Sequence, residues 1–136
     1  MPDAKESSAV LIVDDSATDA FIHARILERI KQVKPIHTAS NGKEALELLT
    51  QYSLNVKPLP QIIFLDLNMP IMDGFAFVEA FRKTPLNGKE KVKIVIVTSS
   101  SSQGDMQKAK ELGIQNFMIK PMTEEKFLEV IGLTTE

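Results

Sequence analysis

The chain has 136 residues, with sixteen Lys plus Arg against eighteen Asp plus Glu, a formal charge of −2 at pH 7, 43% hydrophobic and 25% charged residues. That length argues for one domain, and the balance of apolar and charged residues is that of a globular chain able to bury a core. The absence of cysteine excludes disulfide scaffolds, thiolate metal sites and cysteine nucleophiles, and because no block of five like charges occurs, nucleic acid is not an expected partner.

The first eight residues are polar, include Asp3 and Glu6, and lack the basic-then-apolar pattern of a signal peptide. The longest apolar runs, residues 9–13 and 94–97, fall far short of the roughly 18 residues that a membrane span needs. The cytoplasm is the expected location, with no membrane partner.

Val10-Leu11-Ile12-Val13, ended by Asp14-Asp15, reads as a strand buried on both faces. Ile22, Ile26, Ile30 and Val33 then recur at helical spacing with Leu27 in the same stripe, and Ser16 with Asp19 has the spacing of a capping box. Pro35 separates this helix from a short extended piece over 36–39, and an Asn41-Gly42 turn leads into a helix carrying Ala45, Leu48 and Leu49. Pro58 and Pro60 make 53–60 a surface connection. Ile62-Ile63-Phe64-Leu65 is the next strand and runs into Asp66. Pro70 and an Asp73-Gly74 turn precede a helix with Phe75, Val78 and Phe81 on one side.

A polar loop over 84–90 leads to Ile94-Val95-Ile96-Val97, a strand that ends at Thr98. The serine run 99–102 opens a helix with Met106, Ala109 and Leu112, stopped at Gly113. Residues 116–119 form the last strand, ending at Lys120-Pro121, and Phe127, Leu128 and Ile131 mark a final helix from about Thr123. His23 and His37 have no partner at metal-ligand spacing and read as surface or packing residues.

Strands and helices in strict alternation require an α/β, doubly wound parallel sheet of five strands, with right-handed crossovers and helices on both faces. In such open sheets ligands bind outside the carboxyl ends of the strands. Four of the strands end in polar residues: Asp14 with Asp15, Asp66, Thr98 and Lys120. Taken singly, each has an ordinary explanation as a helix cap, a strand residue or a strand end. Clustered carboxylates oppose folding, so their coincidence at one end of the sheet points to chemistry. One lysine does not neutralise three carboxylates, and the cleft must either raise a pKa or bind a divalent cation. Oxygen-only donors suit Mg²⁺. The cation, Lys120 and the Thr98 hydroxyl together match the charge of a phosphoryl group in transit, with a carboxylate as nucleophile.

These residues resemble the receiver domain of two-component response regulators in its stand-alone, CheY-like form. The resemblance rests on Val13-Asp14-Asp15-Ser16, Leu65-Asp66-Leu67-Asn68-Met69-Pro70 with Met72-Asp73-Gly74, Val97-Thr98-Ser99 and Lys120-Pro121, and covers nearly the whole chain. It implies a flavodoxin-like sheet of order 2-1-3-4-5, with 1–8 an N-terminal tail, 9–132 the receiver domain and 133–136 a C-terminal tail. It implies Asp66 as the phosphoacceptor, supplied by a phosphohistidine on a histidine kinase or a histidine phosphotransfer protein. It further implies Mg²⁺ on Asp15, Asp66 and the backbone carbonyl of Asn68, with Asp14 acting through water, and Lys120 paired with the phosphoryl oxygens. Thr98 would swing its hydroxyl to the phosphoryl group and Phe117 would turn inward, a switch read by a downstream partner on the face of the fourth helix, fifth strand and fifth helix.

Such a domain signals and is not an enzyme on external substrates, although it promotes its own phosphorylation and dephosphorylation. Phe117 stands where some family members carry Tyr, which removes any hydrogen bond from that ring. Ser99 stands where Ala or Gly is common and narrows access to the acyl phosphate. Phosphatases of the haloacid-dehalogenase type also place an aspartyl nucleophile after a strand, but Asn68 occupies the position of their second Asp. The other reading is an adaptor that binds partners regardless of phosphorylation.

Overall fold

The β-branched runs form the sheet. In the computed structural model, which describes residues 8–99 and 102–132, β1 (Ser8–Val13), β2 (Val33–Ala39), β3 (Ile62–Leu65), β4 (Lys93–Thr98) and β5 (Asn116–Ile119) pair in parallel in the order β2-β1-β3-β4-β5. The crossovers are α1 (Ala17–Glu28), α2 (Gly42–Leu54), α3 (Gly74–Lys83) and α4 (Gln103–Glu111), and α5 (Glu124–Ile131) closes the series. This is the doubly wound order expected from the sequence. None of these helices is long and apolar enough to cross a membrane. The expected tails 1–7 and 133–136, and Ser100 and Ser101 of the serine run, lie outside the described residues.

Side chains alternate between the two faces of each strand, so the sheet feeds two cores. On one face Leu11, Val13, Ile63, Leu65 and Ile96 pack with Leu49 of α2, Phe77, Val78 and Phe81 of α3, and Ala109 of α4. On the other, Val10, Ile12, Phe64, Val95 and Val97 pack with Leu27 of α1 and with Phe127 and Val130 of α5. Phe64 and Phe127 meet edge to face, ring centroids 5.0 Å apart.

Polar residues start the helices. Ser16, Asn41, Asp73, Ser102 and Thr123 each take an N–H from the residue three positions on, satisfying one of the donors a helix leaves unpaired at its start. Asn41 and Asp73, read above as turn residues, are therefore N-caps. Their glycines matter for another reason: a Cβ on Gly74 would stand 2.7 Å from the Asp66 carbonyl oxygen, and one on Gly42 would stand 2.8 Å from the Met72 side chain.

Several details differ from the sequence reading. The buried face of α1 is Ala20, His23 and Leu27, while Ile22 is 47% exposed and Val33 belongs to β2. Pro35 lies inside β2 rather than before it, as an edge strand allows because one side of its ladder is unpaired. The surface connection is shorter than 53–60, since α2 continues to Leu54 and Leu59 is buried. Met106 is exposed, and α4 buries only Ala109 within its bounds. Gly113, at a φ of 79° after the last turn of α4, is the stop that was expected.

Candidate functional site

Strand register assembles the site. Val13 lies opposite Leu65 in the parallel pairing of β1 and β3, so the residues that follow them, Asp14 and Asp66, emerge side by side. The Asp14 N–H donates to the Ala39 carbonyl at 3.0 Å and the Asp66 N–H to the Val13 carbonyl at 2.9 Å, which holds both backbones to the strands beside them. Thr98 lies opposite Ile119, and the Lys120 N–H donates to the Thr98 carbonyl at 2.9 Å, tying the ends of β4 and β5 together.

Carboxylate oxygens of Asp14, Asp15 and Asp66 lie within 4.8 Å of one another, with Asp14 and Asp66 buried and Asp15 exposed. Lys120 reaches into this group from β5. Its Nζ donates to Asp14 Oδ2 at 2.9 Å and to Asp19 Oδ2 at 2.7 Å, and stands 3.7 Å from Asp66 Oδ2. The Ser16 N–H donates to Asp14 Oδ1 at 2.9 Å, and the Asn68 N–H approaches Asp66 Oδ1 at 3.4 Å. Gly74, whose N–H donates to the Leu67 carbonyl at 2.9 Å, lets the start of α3 pack directly beneath the Asp66 backbone. An alanine there would push on the Asp66 carbonyl and on Leu67, and so on the backbone that carries the Asp66 carboxylate.

Burial pushes the Asp66 carboxyl up to about 6; Lys120 opposes the rise and the neighbouring charge of Asp14 adds to it. Burial also works against the Lys120 ammonium, but hydrogen bonds to Asp19 and Asp14 and the charges of Asp66 and Asp14 outweigh it, so its pKa lies above the usual lysine value. The hydrogen bond from Lys120 holds the Asp19 carboxyl below its ordinary value. Burial lowers the pKa of His23, which packs edge-on to Phe127 with centroids 5.7 Å apart.

Of the expected site residues, Asp14, Asp15, Asp66 and Lys120 stand together. Thr98 is fully buried at the end of β4 and Asn68 follows Asp66 in the β3–α3 loop. Phe117 lies farther off, half-buried on β5, where it lines a hollow of about 720 Å³ with Met106, Ala109 and Lys110 of α4. Asp19 was read only as a helix-cap residue, and the structure puts it in the site: Ser16 caps its N–H, while its own carboxylate turns to Lys120. No local spacing signals this, since Asp15 precedes the Ser16 cap and shares no helix face with Asp19.

An oxygen-only cluster with one exposed and two buried carboxylates can hold a hard divalent cation, which would offset both the burial of the Asp66 charge and the lesser repulsion from Asp14. The donor set, without thiolate or imidazole, favours Mg²⁺ over Zn²⁺.

Comparison with known proteins agrees with this arrangement. The sequence profile described as "response regulator receiver domain" matches residues 10–132. A probable chemotaxis protein CheY of Rhizobium etli is 31% identical over 93% of this chain and 91% of its own length. The sensor histidine kinase CheAY of Helicobacter pylori is 32% identical over 90% of this chain, which spans 14% of that larger protein. Among solved structures, the chemotaxis protein CheY4 of Vibrio cholerae superimposes with a TM-score of 0.76 at 27% identity, over 93% of this chain and 98% of that one. A two-component response regulator from Cytophaga hutchinsonii superimposes with a TM-score of 0.83 over 94% and 96%, and at 23% identity it bears on the fold alone.

Proposed function

This chain belongs to the response regulator receiver domain family, a family of signalling domains, and we propose that its Asp66 accepts a phosphoryl group from a phosphohistidine of a histidine kinase or phosphotransfer protein. The observation that carries the reading is the placement of the Lys120 ammonium 3.7 Å from Asp66 Oδ2, at the edge of the Asp14, Asp15 and Asp66 cluster. Residues 9–132 are the unit to which this function is assigned.

With a pKa near 6, Asp66 is ionised at neutral pH, and its poorly solvated oxygen is a better nucleophile than an exposed carboxylate. In the transfer a P–O bond forms to Asp66 as the P–N bond of the donor breaks. The electron pair stays on the imidazole, which leaves neutral when its other ring nitrogen carries a proton. Asp15, Asp66 and the Asn68 carbonyl would hold Mg²⁺, with Asp14 acting through water; the ion supplies positive charge against the phosphoryl oxygens. Lys120 matches the charge of the remaining oxygens. Thr98 and Phe117 then carry the change outward. The threonine hydroxyl turns to the modified Asp66, and the Phe117 ring moves into the space released, reshaping the surface of α4, β5 and α5 for a downstream protein.

Intact-mass analysis after incubation with acetyl phosphate tests the reading. The wild type is expected to gain one phosphoryl group only when Mg²⁺ is present, Asp66→Ala none, and Asp15→Asn far less at equal Mg²⁺. No addition to the wild type under any condition would favour a phosphorylation-independent adaptor.

A further inference from the structure

We propose that Asp19 is a positioning residue for Lys120, a latch that holds the ammonium off the phosphoacceptor in the unmodified protein and thereby limits how readily the site takes a phosphoryl group. The inference rests on the phosphoacceptor reading above and assigns to it a residue outside the expected site.

An ammonium has three protons to donate. On Lys120 two are committed, to Asp19 at 2.7 Å and to Asp14 at 2.9 Å, and the contact with Asp66 at 3.7 Å is an ion pair too long for a hydrogen bond. Lys120 is thus nearest to the carboxylate that has no part in the metal cluster. The third proton is uncommitted, but while both bonds hold, the ammonium stays 3.7 Å from Asp66 Oδ2, and drawing it nearer to the modified carboxylate stretches one of them. Asp14 is poorly placed to yield, since its carboxylate is buried, accepts from the Ser16 N–H and would lose a partner without gaining water. The Asp19 side chain is 38% exposed and rehydrates when released, so its ion pair is the cheaper one to break.

The pose of Asp19 is not an accident of helix capping. In a reciprocal cap its carboxylate would return to the Ser16 N–H, yet that N–H is taken by Asp14 while the Ser16 hydroxyl accepts from the Asp19 N–H. The first turn of α1 is therefore closed by other groups, and the Asp19 carboxylate is left to engage Lys120.

The test is the rate of modification by acetyl phosphate at subsaturating concentration with Mg²⁺, read by intact mass. Asp19→Asn is expected to raise that rate about fivefold, the factor a partly exposed ion pair is worth, and Asp19→Glu, which keeps the carboxylate, to stay within about twofold of the wild type. In a Lys120→Met background, replacing Asp19 by Asn should change nothing. A second readout needs no phosphoryl transfer: acetylation of Lys120 by an amine-selective reagent should quicken in Asp19→Asn while exposed Lys43 is labelled as before.

A merely structural role predicts a lower melting temperature for Asp19→Asn with an unchanged or slower rate, and that result overturns the proposal. So does a rate gain that persists without Lys120, or Lys120 labelling that does not respond. A wild type that takes no phosphoryl group overturns the underlying reading, and the latch with it; a normal wild-type rate that Asp19→Asn fails to raise overturns the latch alone.

Discussion

The two flanks of the site are built differently. On the β1–β3–α3 side the last four residues of β1 and all of β3 are buried, and α3 buries Gly74, Phe75, Phe77, Val78 and Phe81. On the other side β5 is only half-buried at each of its residues, α4 buries Ala109 alone, and Met106 lies 44% exposed beside the hollow next to Phe117. Dense packing fixes side-chain positions and loose packing leaves room for a second arrangement. The contrast matches the division of labour proposed here, with the phosphoacceptor on the rigid flank and the response on the compliant one. Lys120, at the end of β5, joins the two through its side-chain contacts with Asp14 and Asp66.

The contrast predicts unequal costs of truncation. Phe77→Ala, at a fully buried ring, should destabilise by about 3–5 kcal/mol, and Phe117→Ala by about 1–2 kcal/mol because its ring is already half in water. Equal losses in chemical denaturation would remove the distinction.

The next effect concerns charge on the rigid flank. Because folding raises the Asp66 pKa from 3.8 to about 6, the folded state binds that proton more tightly than the unfolded one. The group's favourable contribution is full below pH 3.8 and is lost as pH rises through about 6, leaving a buried charge at neutral pH. Asp66→Asn should therefore stabilise the metal-free protein by about 2–3 kcal/mol at pH 7 and by little near pH 3.5. A pH-independent difference between variant and wild type in urea titrations would contradict this account. At the small end, Met106→Ala should change stability by less than about 0.5 kcal/mol, since an exposed thioether has few contacts to lose.

Most of the fold was legible because the strand runs are short, β-branched and bounded by polar residues, and the alternation with helices leaves one class of topology. The convergence of Asp14, Asp15, Asp66 and Lys120 was legible for the same reason: strand ends in a parallel sheet share an edge. The face of α1 was not. Isoleucine spacing favoured Ile22 and Val33, but the Ser16 cap sets the start of the helix and thereby turns Ala20, His23 and Leu27 inward. A histidine on that stripe hid it from a hydrophobicity count. Asp19 was missed because its role depends on the reach of a side chain from β5, and local spacing does not carry a contact between residues 101 positions apart.

The most direct test of a rigid acceptor flank coupled to a compliant reading flank is amide hydrogen exchange, with and without phosphorylation in the presence of Mg²⁺. The account predicts that changes in protection concentrate in α4, β5 and the start of α5, that β1 and β3 stay as slow as before, and that Thr98→Ala abolishes the change while still accepting the phosphoryl group. Changes confined to the loops around Asp66, or spread evenly over both flanks, would contradict it.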